Sequence, residues 1–239
     1  MRSVDRSPRR RLRPSDRRAE LLAAAAAAFA DAPYADVSIS EIAASVGASP
    51  ALVHHHFGGK RELYLAVLRA ASDDLRRRLG LATAPGGAAV DGGGDNGGGA
   101  VAAGAATVVV EVGDLGHDGV GKELEVGISA FVDFVAERRA GWAALYRGRI
   151  AADPQVRAVV DEVRSDVLDA LRVGVRSAGY QDGPVLEIAL RGYLGFVDEA
   201  CLALAESPPD RALRGATVRA ASAALVAALA TVGHSASRP

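Results

Sequence analysis

The side chains of this 239-residue chain that could do chemistry concentrate in one stretch, Ile39 to Leu63, ISEIAASVGASPALVHHHFGGKREL. Three consecutive histidines, His54, His55 and His56, are of metal-ligand type. Neighbours on a helix point about 100° apart, and none of the three has a histidine one turn away, so one ion cannot take them all. The single cysteine, Cys201, makes neither an internal disulfide nor a multi-thiolate site. Serines, histidines and carboxylates occur without a nucleophile elbow, a phosphate loop or a metal-ligand spacing. The spacing therefore predicts no catalytic residue, no metal and no cofactor. What the stretch does offer is hydroxyls, imidazoles and one lysine at the starts of short helices, where outward backbone amides suit phosphate oxygens.

The elements that must position those groups are marked by their punctuation. Ser38 with Glu41 reads as a capping box that opens a helix through Val46, with Ile39, Ile42, Ala43 and Val46 turned inward. Gly47 ends it as a left-handed residue. Ser49 caps the next helix, Pro50 sits in its first turn, and Gly58-Gly59 break it after Phe57. Both helices are too short to stand alone, so they need cover. The helix before them, Asp16 to Asp31, repeats Leu21, Leu22, Ala25 and Phe29 on one face and stops at Pro33. The helix after them runs from Lys60 to about Leu79 and carries Leu63, Leu65, Val67, Leu68 and Leu75. Two short helices joined at Val46-Gly47-Ala48 make a helix-turn-helix, whose second helix would lie in a major groove. Its outward positions are Ser49, Ala51, Leu52, His54 and His55.

Charge supports that assignment. Residues 1 to 79 hold 14 basic and 9 acidic side chains, a balance of +5, whereas the rest hold 14 and 20, a balance of −6. A basic front end suits a polyanion. Residues 1–14, with Arg9, Arg10, Arg11 and Arg13, read as a disordered basic arm that adds phosphate or minor-groove contacts. Residues 80–121 hold 14 of the 27 glycines and read as a flexible linker or insertion. The helical period then returns at about 122–139, 141–149, 154–178, 184–206 and 210–232, before a tail at 233–239. No apolar run reaches the roughly 18 residues of a spanning helix, Ala220 to Val232 being shorter, and no signal peptide is visible. The expected protein is all-α, cytoplasmic and without a membrane partner: a helix-turn-helix domain over 15–62, a connecting helix over 63–79, and a helical domain over 122–232.

At these residues the chain resembles the TetR family of transcriptional regulators. The match consists of the apolar first helix ending in Phe29, Ser38 before Ile39 and Ile42-Ala43, then Gly47 and Ser49, then His56-Phe57, a spacer of two, and Lys60 before Leu63. It covers about residues 15 to 65. The resemblance implies a three-helix DNA-binding domain joined to a C-terminal ligand-binding and dimerisation bundle. It implies a homodimer on a palindromic double-stranded operator, most often a repressor, released by a small-molecule effector. By position, Ser38, His54 and Lys60 would contact phosphates while Ser49, Ala51, Leu52 and His55 face the groove; His56 and Phe57 are framework. The family commonly has Tyr where this chain has His54 and Gly where it has Pro33, and lacks so long a glycine-rich span. His54 can still donate to a phosphate and would add pH sensitivity.

In the C-terminal half, Phe131, Phe134, Trp142, Tyr146, Tyr193 and Phe196 hold most of the aromatic side chains. Such clustering is what a plain core gives; the resemblance points instead to an effector cavity, with Arg147, Arg149 or Asp198 as its polar groups. Leu190, Leu194, Val197, Leu225 and Leu229 on the last two helices are candidates for a symmetric four-helix dimer interface. The rival reading is a helical scaffold protein with a vestigial helix-turn-helix. Ser38, Ser49, Lys60 and the arginine arm argue against it.

Overall fold

A computed structural model describes residues 14–81 and 122–232, so the proposed arm, the proposed linker beyond Leu81 and the tail lie outside the described residues. Among the described residues the chain forms nine α-helices: α1 (Pro14–Asp31), α2 (Ile39–Ser45), α3 (Pro50–Phe57), α4 (Lys60–Arg78), α5 (Lys122–Ala136), α6 (Arg139–Arg147), α7 (Pro154–Ser177), α8 (Pro184–Glu206) and α9 (Arg211–Leu229). A 3-10 turn, Arg149–Ala152, leads from α6 to α7. The ends fall within a few residues of where glycine, proline and the apolar period put them.

The head, α1 to α4, closes around Leu21, Ala25, Phe29, Ile42, Ala43, Val53, Phe57 and Leu63, all buried. Each fully buried leucine among them is worth about 2 kcal/mol of removed apolar surface. Gly47, at φ 64, lets the chain turn from α2 into α3, and the Ala48 amide returns to the Ala43 carbonyl at 2.8 Å. The α3 end is similar, with Gly58 at φ 90. The capping box does not form. Ser38 and Ser49 hold the extended N-cap backbone, yet neither hydroxyl caps its helix, which leaves both oxygens free of that task.

The body corrects the expected dimer face. Leu190, Leu194, Val197, Leu225 and Leu229 are all buried within their own chain, in the core that α5, α7, α8 and α9 share. Hydrophobic period marks the side of a helix that seeks cover, and here this chain supplies the cover. The outward side of α8 carries Val185, Ile188 and Phe196 instead, and that of α9 carries Leu213, Ala216, Ala220, Ala223 and Val226. Helix α9 begins well before Ala220, and by length and composition alone it is apolar enough to cross a membrane. Its Val218, Ala221, Leu225 and Leu229 are packed in the body core.

Head and body meet over a wide front. Val156 of α7 is 1% exposed and belongs to the head core. Arg61, in the first turn of α4, grips Asp153 through two hydrogen bonds of 2.7 and 2.9 Å. Asp153 in turn caps α7 by accepting from the amides of Gln155 and Val156. Hydrogen bonding from Arg61 holds the Asp153 carboxyl below the usual carboxylate range. The clasp is therefore intact at neutral pH and is lost only as pH falls through that depressed value. Further along α4, buried Arg76 donates to Asp166 and Glu162 of α7, and Arg78 pairs with Glu137 at the end of α5.

Candidate nucleic-acid interface and cavity

On α3, Ala51, His54 and His55 are exposed, as is Ser49 before it, while Leu52 is half-buried and rests on the head core. Val53 and Phe57 face inward and fix the rotation of the helix. Arg18 of α1 stacks over the Phe57 ring at 4.9 Å, and Arg17 donates to the Val46 carbonyl at the end of α2. The two short helices are thus pinned from behind by the first.

Ser38, Ser49 and Lys60 all stand at helix starts in the same head. Lys60 is not a loose side chain: its ammonium donates to the Ala35 carbonyl at 3.0 Å and lies 4.7 Å from the Tyr34 ring centre. That leaves two of its three N–H groups for other acceptors. The Nδ1 atom of His54 lies 3.2 Å from the Gly58 carbonyl. A carbonyl only accepts, so this contact places the proton on Nδ1. Arg9, Arg10, Arg11 and Arg13 lie outside the described residues.

Behind the head lies a cavity of about 330 Å³. Its walls come from both halves: Phe29 of α1, Tyr64 and Leu68 of α4, Gly127 and Phe131 of α5, Trp142 and Tyr146 of α6, Val163 and Arg164 of α7, and Tyr193 and Asp198 of α8. Of the aromatic residues expected there, Phe131, Phe134, Trp142, Tyr146 and Tyr193 line it. Phe196 does not; it is 43% exposed. On α8 the lining repeats at 193, 194, 197 and 198, a period that excludes 196. Arg147 pairs with Glu206 and Arg149 is exposed, so neither is the polar group of the cavity. Asp198 is, and its partner there is Arg164. Sequence reasoning missed that arginine, and also the share of α1 and α4 in the wall. Burial raises the Tyr193 phenol and pushes Tyr64 up to about 12, so both are neutral hydroxyls. It likewise pushes the Cys201 thiol up to about 12, which leaves it unreactive.

Comparison with known proteins places both halves. Residues 21–67 match the family described as bacterial regulatory proteins, tetR family. Residues 120–232 match the tetracyclin repressor-like C-terminal domain. The HTH-type transcriptional regulator BetI of Brucella abortus is 44% identical over 66 residues, 28% of this chain, and the match spans 33% of BetI. The HTH-type transcriptional activator FasR of Mycolicibacterium smegmatis is 28% identical over 163 residues, 67% of this chain and 59% of FasR. A tetR-family transcriptional regulator from Streptomyces coelicolor has a structure that superposes with a TM-score of 0.64 at 26% identity, covering 90% of this chain and 83% of that one. One from Mesorhizobium loti, 16% identical with a TM-score of 0.62, shares the fold.

Proposed function

The chain belongs to the TetR family of bacterial regulatory proteins, and on that premise we propose a cytoplasmic homodimer whose grip on a palindromic operator is released by a small apolar effector. Members of this family are DNA-binding transcriptional regulators and not enzymes, which favours this reading over the vestigial-scaffold alternative. One observation carries the effector reading: the cavity is walled by α1 and α4 of the head as well as by α5 to α8 of the body. A molecule that fills it bears on the helices that hold α2 and α3 in place.

In this reading Ser38, His54 and Lys60 meet phosphates, while Ser49, Ala51, Leu52 and His55 face base edges, with the arm arginines adding charge. Selection of bound DNA from a random library should return a two-fold symmetric site with half-sites about one helical turn apart. On that site, Gly127→Phe should act as a built-in effector. Gly127 lines the cavity, and a Cβ there meets nothing within 4 Å, so the ring has room to enter. The expected loss of operator affinity is about tenfold, with helicity unchanged; a variant that binds like the parent would sink the effector reading. Repression is the expected sign in a reporter strain. The relative FasR is named an activator, and activation by this protein would overturn that part alone.

Two side chains give sharper checks. Lys60→Ala should weaken binding to all DNA sequences alike and lower the salt slope by about 1 for each protomer; a loss confined to one sequence would show that Lys60 reads bases. His54→Ala should likewise weaken binding to every sequence, because the exposed imidazole on α3 faces phosphate in this reading; a loss confined to one sequence would place His54 on a base edge.

A further inference from the structure

Among the described residues four cations lie over aromatic rings, and they divide by what else they touch. In the body, Arg78 and Arg138 share the Phe134 ring at 5.8 and 4.2 Å from its centre, and both also pair with Asp74 and Glu137. In the head, Arg18 lies over Phe57 and Lys60 over Tyr34, and neither pairs with a carboxylate among the described residues. A ring face holds a cation in place and leaves its charge uncancelled, whereas a carboxylate neutralises what it holds. The head thus keeps two positioned, unanswered positive charges. Lys60 is already read as a phosphate contact; Arg18 is built in the same way.

Its neighbour shows the contrast. Arg17 donates to Glu20 at 2.9 Å and to the Val46 carbonyl at 3.1 Å, so its guanidinium is committed to the fold. Arg18 is exposed and makes no hydrogen bond or ion pair among the described residues, which leaves its N–H groups for an outside acceptor. The place is also right. Although α1 braces α3 from behind, the Arg18 guanidinium lies 4.9 Å from the ring of Phe57, the last residue of α3. A helix of eight residues rises roughly 12 Å, about the width of the major groove, so a cation at its end stands near a phosphate wall when the helix lies in the groove.

We infer that Arg18 is a phosphate anchor: held by Phe57, its guanidinium donates to a DNA phosphate beside the C-terminal end of α3, where its planar fork suits two phosphate oxygens. This rests on the reading of the head as an operator-binding surface. Arg18→Met tests it, because the variant keeps an unbranched apolar stem over Phe57 and removes the charge. The full chain is titrated at several salt concentrations with two labelled duplexes of equal length, the operator selected from a random library and a scrambled sequence. Affinity for both should fall at least about tenfold, and the slope of log affinity against log salt should fall by about 1 for each protomer, with helicity unchanged. Arg18→Lys should keep most of that slope. Arg211→Met, the same charge change at an exposed position opening α9, should keep all of it. Should Arg18→Met lose helicity, Arg18→Gln against Arg18→Lys makes the same comparison.

A parental slope in Arg18→Met would overturn the anchor and leave Arg18 as a cover for Phe57. An equal loss in Arg18→Lys would put the cause in packing, an equal loss in Arg211→Met would put it in net charge, and a loss confined to the operator would make Arg18 a reader of bases; each overturns the assignment. A parent that binds neither duplex would overturn the operator-binding reading itself, and the anchor with it.

Discussion

Ile188→Glu should turn a dimer into a well-folded monomer and cost it operator affinity by about a hundredfold or more. Ile188 is 71% exposed on α8, with Val185 and Phe196 on the same outward side and the small residues of α9 next to them. In the proposed homodimer we place the interface on this face, so a carboxylate at its middle would appear twice there, desolvated and opposed by its like. The buried side of α8, with Leu190, Leu194 and Val197, is untouched, so the monomer should keep its helicity, while its melting temperature falls by what association contributed to the parent. Affinity falls because two linked recognition helices gain a factor of about 10² to 10⁴ from effective concentration, and the variant forfeits it. Sedimentation and operator titration on the same preparation check both halves; a variant that still sediments as a dimer would remove α8 from the interface.

Gly141→Val should lower the melting temperature by about 5 °C and loosen the head on the body. A Cβ at Gly141 would sit 2.7 Å from the Phe29 carbonyl oxygen. The obstacle is backbone inside a packed helix, α1, and not the end of a flexible side chain, so either α1 or α6 must move. Overpacking of this kind costs about 1–3 kcal/mol, and in a chain of this size each kcal/mol is worth about 2–4 °C. Because α1 braces α2 and α3 through Arg17 and Arg18, the displaced head should also bind operator less well. Gly127→Ala is the control, since a methyl there meets nothing and alanine favours the helix. Equal melting of Gly141→Val and the parent would mean that α1 and α6 are not in contact.

What could be read from the sequence follows from how local each cause is. Pro50, Gly47 and Gly58 act on their own backbone, so the limits of α2 and α3 and the exposure of Ala51, His54 and His55 follow from residue types alone. The burial of Leu190 and Leu225 within their own chain did not, because the apolar period of α8 and α9 says that they seek cover without saying whose. The outward strip is alanine and valine with Ile188, Phe196 and Leu213 set singly among them, a pattern that carries little signal. Arg61 and Asp153 are 92 positions apart, and no periodicity links them. Ser38 had the sequence of a capping box and none of its side-chain bond, since the motif permits that geometry and packing decides it. That the buried indole N–H of Trp142 has no hydrogen-bond partner among the described residues is a fact about neighbours, invisible in a residue type that most often is simply core.

Residues 14–81 and 122–232 are held to one another by Arg61 on Asp153, by Arg76 on Asp166, by Arg78 on Glu137, and by Val156 seated in the head core. None of these depends on the peptide bonds that run between Leu81 and Lys122. A chain cut between those two positions should therefore stay together through these contacts, and the two fragments should copurify.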